Sequence, residues 1–477
     1  MLRAMMIASW ERLAAGMLTI AVASVVGSTQ RSGDSRDASV LPKSSGLLTH
    51  GRDGQLRFAS GARISHEAGM LDKLGSLVVG LGYRAPAFNS AALCLVRLTP
   101  RGALDPGFGN NGSVTTPLLP LENHDSATVT ALLEDASGRA IVVGWRTKSS
   151  GLDASVPVIV AARYTSAGAL DPSFGERGVV TTRIDNAYAT QAYAAALDGD
   201  GRLLVVGYNG GVKSKRPGAF DEWPIRVIVL RYTASGVVDA SFGAGGIASH
   251  VLVPAGPNGD AGREFLLYDT GHRKTAGLIL DRQGRAVVAA AGDAGPIVLM
   301  RFTRDGVLDS TFGSAGTVHT PIGKRAGVSA LFWDVDGRLL AAGTSDDSGV
   351  LARYSADGAL DATFGDGGIR RTPIGEDMRV SAALQEADGH LLMVASGNNS
   401  VQLARFDRNG KPDQSVGSNG VISTTVDKIV GTAAGLAIDE KGTPVVTVVS
   451  PNGMFILRYN RGGPVDKSFQ AVPNAHP

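Results

Sequence analysis

The sequence predicts an all-β chain, a seven-bladed β-propeller of four-stranded antiparallel blades, and three observations carry that reading. One long motif recurs seven times, a short turn motif alternates with it, and the apolar runs between them are continuous. The long motif is Arg, usually an aromatic, three variable residues, Gly, two residues, Asp, then mostly Ser or Thr, Phe, Gly, with another Gly three later. Arg163-Tyr-Thr-Ser-Ala-Gly168-Ala-Leu-Asp171-Pro-Ser-Phe174-Gly175-Glu-Arg-Gly178 is a full copy. Its Arg and Asp members are Arg97 and Asp105, Arg163 and Asp171, Arg231 and Asp239, Arg301 and Asp309, Arg353 and Asp361, Arg405 and Asp413, and Arg458 and Asp466. Successive Arg members stand 52 to 70 residues apart, a spacing that fits one supersecondary unit per copy.

The turn motif is Asp or Glu, two residues, then Gly, and it begins at Asp72, Asp135, Asp198, Asp281, Asp334, Glu386 and Asp439. Each unit then reads as four short strands. One enters this turn, and a second, such as Leu203-Leu-Val-Val206, leaves it. A third, such as Val227-Ile-Val-Leu-Arg-Tyr232, enters the Arg…Asp hairpin, and a fourth carries the Phe-Gly-x-x-Gly segment. Strands apolar at consecutive positions need cover on both faces. Sheets stacked around an axis supply it, four strands to a blade. In Arg231-Tyr-Thr-Ala-Ser-Gly236-Val-Val-Asp239 a three-residue loop puts Gly where a left-handed residue is needed. That register sets Thr233 opposite Val237, Tyr232 opposite Val238 and Arg231 opposite Asp239. Residues repeated seven times serve a scaffold, each cross-strand pair contributing about 0.2–1 kcal/mol.

On these seven copies, from about Leu71 to Phe469, the chain resembles the bacterial delta-60 repeat family, β-propeller modules of unknown biochemical function found in exported and surface proteins. The resemblance implies a fold and a cellular context and no mechanism. Two units depart from the pattern. The sixth has Lys411-Pro412 and Val416 where others have an apolar pair and Phe, and the seventh ends at Phe469-Gln470 without its last strand. Arg52-Asp-Gly-Gln-Leu56-Arg-Phe58-Ala-Ser-Gly61 resembles the hairpin that begins at Arg304 with two residues deleted. Residues near Leu56 to Ser65 are therefore expected to supply the missing strand and close the ring, which removes exposed edges.

Composition bounds the rest. Of 477 residues, 63 are Gly and 21 Pro, fewer than low-complexity disorder requires. With 46 basic and 44 acidic residues, no strong field favours nucleic acid or a membrane surface. Leu13 to Val26 carries no charge, and within it Ala21-Val22-Ala23 offers a small-residue cleavage pattern, the form of a signal peptide. The expected organisation is a signal peptide over residues 1–23, a flexible leader over 24–50, the propeller over 51–472 and a tail over 473–477. A secreted or periplasmic monomer with no transmembrane span after cleavage follows. Cys94 is the single cysteine, so no intrachain disulfide is possible.

Function is expected where the repeat is broken. Insertions follow the second strand of units one to three, and a fourth lengthens the passage from Gly246 to Asp281. Strand parity puts all four at one end of adjacent blades, where long loops usually bind. They carry Tyr83, Arg84 and Phe88; Trp145 and Arg146; Tyr208, Arg216, Phe220 and Trp223; and Arg263, Phe265 and Tyr268. Aromatics and Arg anchor interfaces, but the same rings can pack beneath their own loops. The eight histidines form no metal-binding pair in sequence, and no G-x-S-x-G elbow, phosphate loop or dinucleotide fingerprint occurs. Asp198-Gly-Asp200-Gly201 and Asp334-Val-Asp336-Gly337 lack the remaining ligands of a calcium loop. No catalytic residue, metal or other cofactor is predicted. The reading is a non-catalytic binding or scaffold module for a protein or glycan of the cell envelope. The alternative is an exported enzyme of the sugar lactonase or quinone-dependent sugar dehydrogenase type, with its residues scattered around the channel.

Overall fold

The computed structural model describes residues 48–50, 56–58, 63–85, 90–100, 103–118, 126–147, 158–184, 189–213, 220–253, 276–290, 296–323, 326–375, 378–397, 400–425, 432–439, 441–450 and 453–460. Among these there are 29 strands and no helix. A hairpin of β1 (Leu48–His50) and β2 (Leu56–Phe58) comes first. Blade one is β3 (Arg63–Leu71), β4 (Leu77–Ala85), β5 (Ser90–Leu98) and β6 (Ser113–Pro117). Blade two is β7 (Ser126–Glu134), β8 (Ala140–Thr147), β9 (Val158–Tyr164) and β10 (Val179–Thr182). Blade three is β11 (Ala189–Leu197), β12 (Leu203–Lys213), β13 (Phe220–Tyr232) and β14 (Ile247–Val253), and blade four is β15 (Ala276–Leu280), β16 (Ala286–Ala290), β17 (Ile297–Phe302) and β18 (Thr317–Thr320). Blade five is β19 (Ala326–Trp333), β20 (Leu339–Ser345), β21 (Ser348–Tyr354) and β22 (Ile369–Pro373), and blade six is β23 (Arg379–Gln385), β24 (Leu391–Gly397), β25 (Ser400–Phe406) and β26 (Val421–Thr425). Blade seven contributes β27 (Thr432–Ile438), β28 (Pro444–Ser450) and β29 (Gly453–Arg458).

The first six sheets pair antiparallel in sequence order. Their first strands touch one another in turn, and β27 returns to β3, so seven sheets close a ring around these innermost strands. Alanine suits that position, as in β11, because the sheets converge there. Outward from the axis the strands are buried on both faces: Leu339, Leu340, Ala341 and Ala342 are consecutive and all nearly inaccessible. Apolar clusters fill the spaces between neighbouring blades, such as Ile141, Ala161, Val205 and Leu230 between blades two and three. Burying a Val, Leu or Ile contributes about 1.5–3 kcal/mol; repeated across the ring, such burial supplies much of the cohesion.

The seventh sheet is different. Its order is β1-β2-β29-β28-β27, with β2 paired to β29 at Leu56↔Met454 and β1 paired to β2 outside it. An N-terminal hairpin therefore stands beside β29, where a single strand was anticipated. Leu48–His50 is a strand although residues 24–50 read as a leader, and Arg63 to Ser65 belong to blade one.

Both turn motifs close hairpins at one end of the blades, and the second-to-third connections leave at the other, as the sheet order requires. In the Arg231 hairpin, Tyr232 bridges Val238, the Thr233 amide donates to the Val237 carbonyl at 2.8 Å, and the Asp239 amide donates to the Arg231 carbonyl at 2.9 Å. Gly236 has φ of 81°, the left-handed conformation that the loop needs. A Cβ there would also come within 2.8 Å of the Gly175 nitrogen of the preceding blade. At the opposite end, the insertion of blade three is built largely as ladder. The β12–β13 pairing continues through Gly210↔Ile225 to Lys213↔Phe220, with bulges after Gly210 and Val212.

Candidate functional site

At the turn end, the repeated Arg is the hub of a belt. In blade four, Arg301 is 1% exposed and donates from Nε to Asp309 at 2.8 Å, from Nη1 to the Ala356 carbonyl of blade five at 2.9 Å, and from Nη2 to Thr311 Oγ1 at 3.0 Å. Its guanidinium carbon lies 4.7 Å above the Phe312 ring, the geometry of a cation–π contact. Arg97, Arg163, Arg231 and Arg353 repeat the Nε bond to Asp105, Asp171, Asp239 and Asp361 at 2.7–2.8 Å, the bond to the next blade's hairpin, and the stacking on Phe. One residue thus fixes its own hairpin and holds the neighbouring blade. The hydroxyl of Ser173, with Arg163 and Arg139 beside it, holds the Asp171 carboxyl at about 2 against burial. Burial opposes ionisation of Asp309 as well, but Thr311 and Arg301 outweigh it and the group again lies at about 2.

A second Arg, four residues after the turn acid, completes the latch. Arg139, Arg285 and Arg338 donate from Nε to Asp135, Asp281 and Asp334 at 2.6–2.8 Å. Their Nη1 atoms reach Asp171, Asp309 and Asp361 at 2.9, 3.1 and 3.7 Å. Arg202 bonds Asp198 in the same way. Single-motif inspection misses this residue, although it recurs in four of the seven turns.

Blade six changes three members of the latch at once: Glu386 replaces the turn Asp, His390 the second Arg, and Val416 the Phe. Arg405 then spans three carboxylates, with Nε on Glu386 at 2.5 Å, Nη1 on Asp413 at 2.5 Å and Nη2 on Asp388 at 3.2 Å. His390 Nδ1 lies 2.9 Å from Asp388 Oδ1, and Nε2 lies 3.9 Å from Asp413 Oδ2. Glu386, Asp388 and His390 offer ligand atoms within 4.8 Å of one another, alone in this among the described residues. Arg405 already holds both of those carboxylates, so the group is an ion-pair network. In blade seven Arg458 donates to the turn Asp439, and Asp466 lies outside the described residues. Burial pushes the Cys94 thiol up to about 12, which removes it as a nucleophile at neutral pH.

The loop end holds the residues expected to bind. Trp145, on β8, is half-buried and packs against the cluster between blades two and three. Arg146 donates from Nη1 to the Leu118 carbonyl at 3.3 Å. Tyr208 is 2% exposed and meets Tyr193 edge-on, with ring centroids 5.1 Å apart. Trp145 and Tyr208 each stand ten residues after the turn acid, where blades five and six place Thr344 and Ser396. Those hydroxyls accept the amides of Val380 and Ala433 from the next blade. The position therefore serves blade-to-blade contact, by hydrogen bond in two blades and by an aromatic wedge in two others. Tyr208, expected on the binding face, is a core residue for this reason. Tyr83 and Arg84 lie on β4 and Phe220 and Trp223 on β13, toward the loop end. Phe88, Arg216, Arg263, Phe265 and Tyr268 lie outside the described residues.

No curated protein matches the chain. Solved structures of low identity do. Virginiamycin B lyase from Staphylococcus aureus is 12% identical over 83% of this chain and 98% of its own, with a TM-score of 0.43. The polysaccharide lyase Uly1 is 10% identical over 82% and 88%, also at 0.43. Trypanosoma rangeli sialidase is 9% identical over 75% and 56%, at 0.42. Likeness of this degree says nothing of shared chemistry. Residues 136–174 and 336–364 match the family described as Domain of unknown function (DUF5122) beta-propeller, and these two segments run from within the turn motif to the repeat Phe, Phe174 and Phe364, in blades two and five.

Proposed function

We propose that the chain is an exported β-propeller that binds a protein or glycan of the cell envelope through its loop end, as a non-catalytic recognition or scaffold module of the delta-60 repeat kind. One observation carries this reading: the second-to-third hairpins of blades one to three are lengthened at the same end, in blades one and three by the sheet itself, which extends to Ala85↔Ser90 and Lys213↔Phe220. In contrast, blade five makes the same connection with Asp346 and Asp347 alone, between Ser345 and Ser348. Building out one side of a regular ring adds surface that the fold does not require, and loop ends of rigid scaffolds are where recognition usually resides.

The test shortens that hairpin. Replacing residues 211–224 with Asn-Gly closes a two-residue turn across the Gly210↔Ile225 pair. The expected result is a melting temperature within a few degrees of the parent and at least a roughly tenfold loss of affinity for envelope protein or glycan, as removal of an interface anchor produces. Trp145→Ala is the companion variant, expected to lower the melting temperature because the ring wedges blades two and three. Undiminished binding by the shortened, folded protein removes the loop end of blade three from the proposal.

A further inference from the structure

We propose that His250 and His319 form a two-histidine clamp for a divalent transition-metal ion at the outer rim between blades three and four. The ladders define the place. On the outer strands of blades one to six, the residue opposite the one four before the repeat Arg is Thr116, Thr182, His250, Thr320, Thr372 and Thr424 in turn. At four of these positions the Thr hydroxyl meets that of a Tyr from the next blade, Tyr164, Tyr232, Tyr354 or Tyr459. Between blades three and four both partners are exchanged, with His250 in place of the Thr and Phe302 in place of the Tyr. That junction therefore lacks the hydroxyl bond that joins its neighbours and holds an imidazole instead.

His319 comes to the same gap from the other side. His250 stands opposite Val227 and His319 opposite Val298, and directly opposed residues of an antiparallel pair share a face. Val227 and Val298 belong to one apolar cluster, which fills the space between blades three and four, so the two imidazoles stand on the faces that look at each other. A like position shows the direction of reach. Arg371, opposite Val350 as His319 is opposite Val298, donates to the Ile322 carbonyl just beyond β18 of the preceding blade. Burial, and after it the nearness of His319, lower the affinity of His250 for a proton, which favours the neutral ring that a metal requires. The residues that the register sets beside the two on the same faces, Ala248, Leu252 and Thr317, carry no charge. No ion pair among them competes for the rings, whereas in blade six Arg405 already holds the carboxylates near His390. Paired imidazoles suit zinc, copper or nickel, and magnesium or calcium poorly. His319 is exposed and His250 half-buried, so the ion enters from solvent and keeps water on its remaining positions.

The experiment titrates Zn²⁺ and Cu²⁺, each alone at pH 7.5, into the full chain, into His319→Gln and into His250→Thr, which restores the residue found at the like positions. The parent is expected to bind one ion at least about tenfold more tightly than either variant by calorimetry. Electron paramagnetic resonance of the Cu²⁺ complex is expected to show two imidazole nitrogens in the parent and one in each variant. An ion that bridges two blades stabilises the ring it binds, so excess Zn²⁺ is expected to raise the melting temperature of the parent by about 2 °C, with EDTA removing the rise and the variants unmoved. A parent that binds no ion, or ions held equally by all three proteins, overturns the clamp. If His250→Thr fails to fold, undiminished affinity in His319→Gln, an exposed position, overturns it alone.

Discussion

The smallest features that join the blades are single hydroxyls. Tyr164, Tyr232 and Tyr354 each follow a repeat Arg and donate to Thr116, Thr182 and Thr320 of the preceding blade at 2.8 Å. Tyr459 stands 3.2 Å from Thr424 in the same relation. Burial pushes the Tyr354 phenol up to about 12, with Thr320 only partly opposing it, so the hydroxyl keeps its proton and remains a donor at any physiological pH. Blades one, four and six break the series with Leu98, Phe302 and Phe406. Phe406 stands where the Tyr belongs, and the buried hydroxyl of Thr372 has no hydrogen-bond partner. A buried polar group left unpaired costs about 1–3 kcal/mol. Phe406→Tyr is therefore expected to stabilise the protein by roughly 0.5–1.5 kcal/mol, and Phe406→Tyr with Thr372→Val is expected to show no such gain. Chemical denaturation of the parent, Phe406→Tyr, Thr372→Val and the double variant decides it. A Tyr that stabilises equally in both backgrounds is acting through packing alone.

At the scale of elements, each hairpin is a device that locks two blades with one Arg. Its weak point is acid. The Asp171 and Asp309 carboxyls are held at about 2, below their unfolded value of about 3.9. A depressed carboxyl gives its full stabilisation above the unfolded value and loses it as pH falls toward the folded one. The hairpins are thus expected to loosen between about pH 4 and pH 2. Asp309→Asn is expected to cost about 2 kcal/mol at pH 7, the worth of hydrogen bonds to a charged group, and to lose progressively less relative to the parent as pH drops below 4. A constant gap down to pH 2 would sink the assignment. The Arg–Asp register was legible in the sequence because its partners lie eight residues apart and recur. Bonds from Arg301 to Ala356 or from Tyr354 to Thr320 were not, since their partners belong to different motif copies and no local pattern links them. Tyr208 misled for a related reason. Its aromatic character is visible in the chain, whereas the next blade that buries it is not. The extended pairing of β12 and β13 was hidden by Gly210, Gly211 and Pro224, which read as a loop although the ladder passes over them with bulges.

At the scale of the whole molecule, the ring has one seam. Every other blade takes its four strands from consecutive chain, but the seventh sheet takes its outer two from residues 48–58, and β2 meets β29 at the single pair Leu56↔Met454. The contact is small, yet it covers the outer edge of β29, an unpaired row of amides and carbonyls if the hairpin leaves. Across the same seam, Val79, Cys94 and Val96 of blade one form an apolar cluster against which Ile456 of blade seven packs. Loss of the hairpin should therefore act twice, by removing pairing and by opening the edge of β29. A chain beginning at Arg63 keeps all of β3 and lacks this hairpin. It is expected to melt about 2 °C below the full chain, a loss of about 2 kcal/mol for a domain of this size, and to associate as concentration rises. Size-exclusion chromatography with light scattering and a thermal scan of both chains measure the two effects. An unchanged melting temperature with a monomer at every concentration would mean that the seven blades hold their ring without the N-terminal hairpin, and that β29 tolerates an open edge.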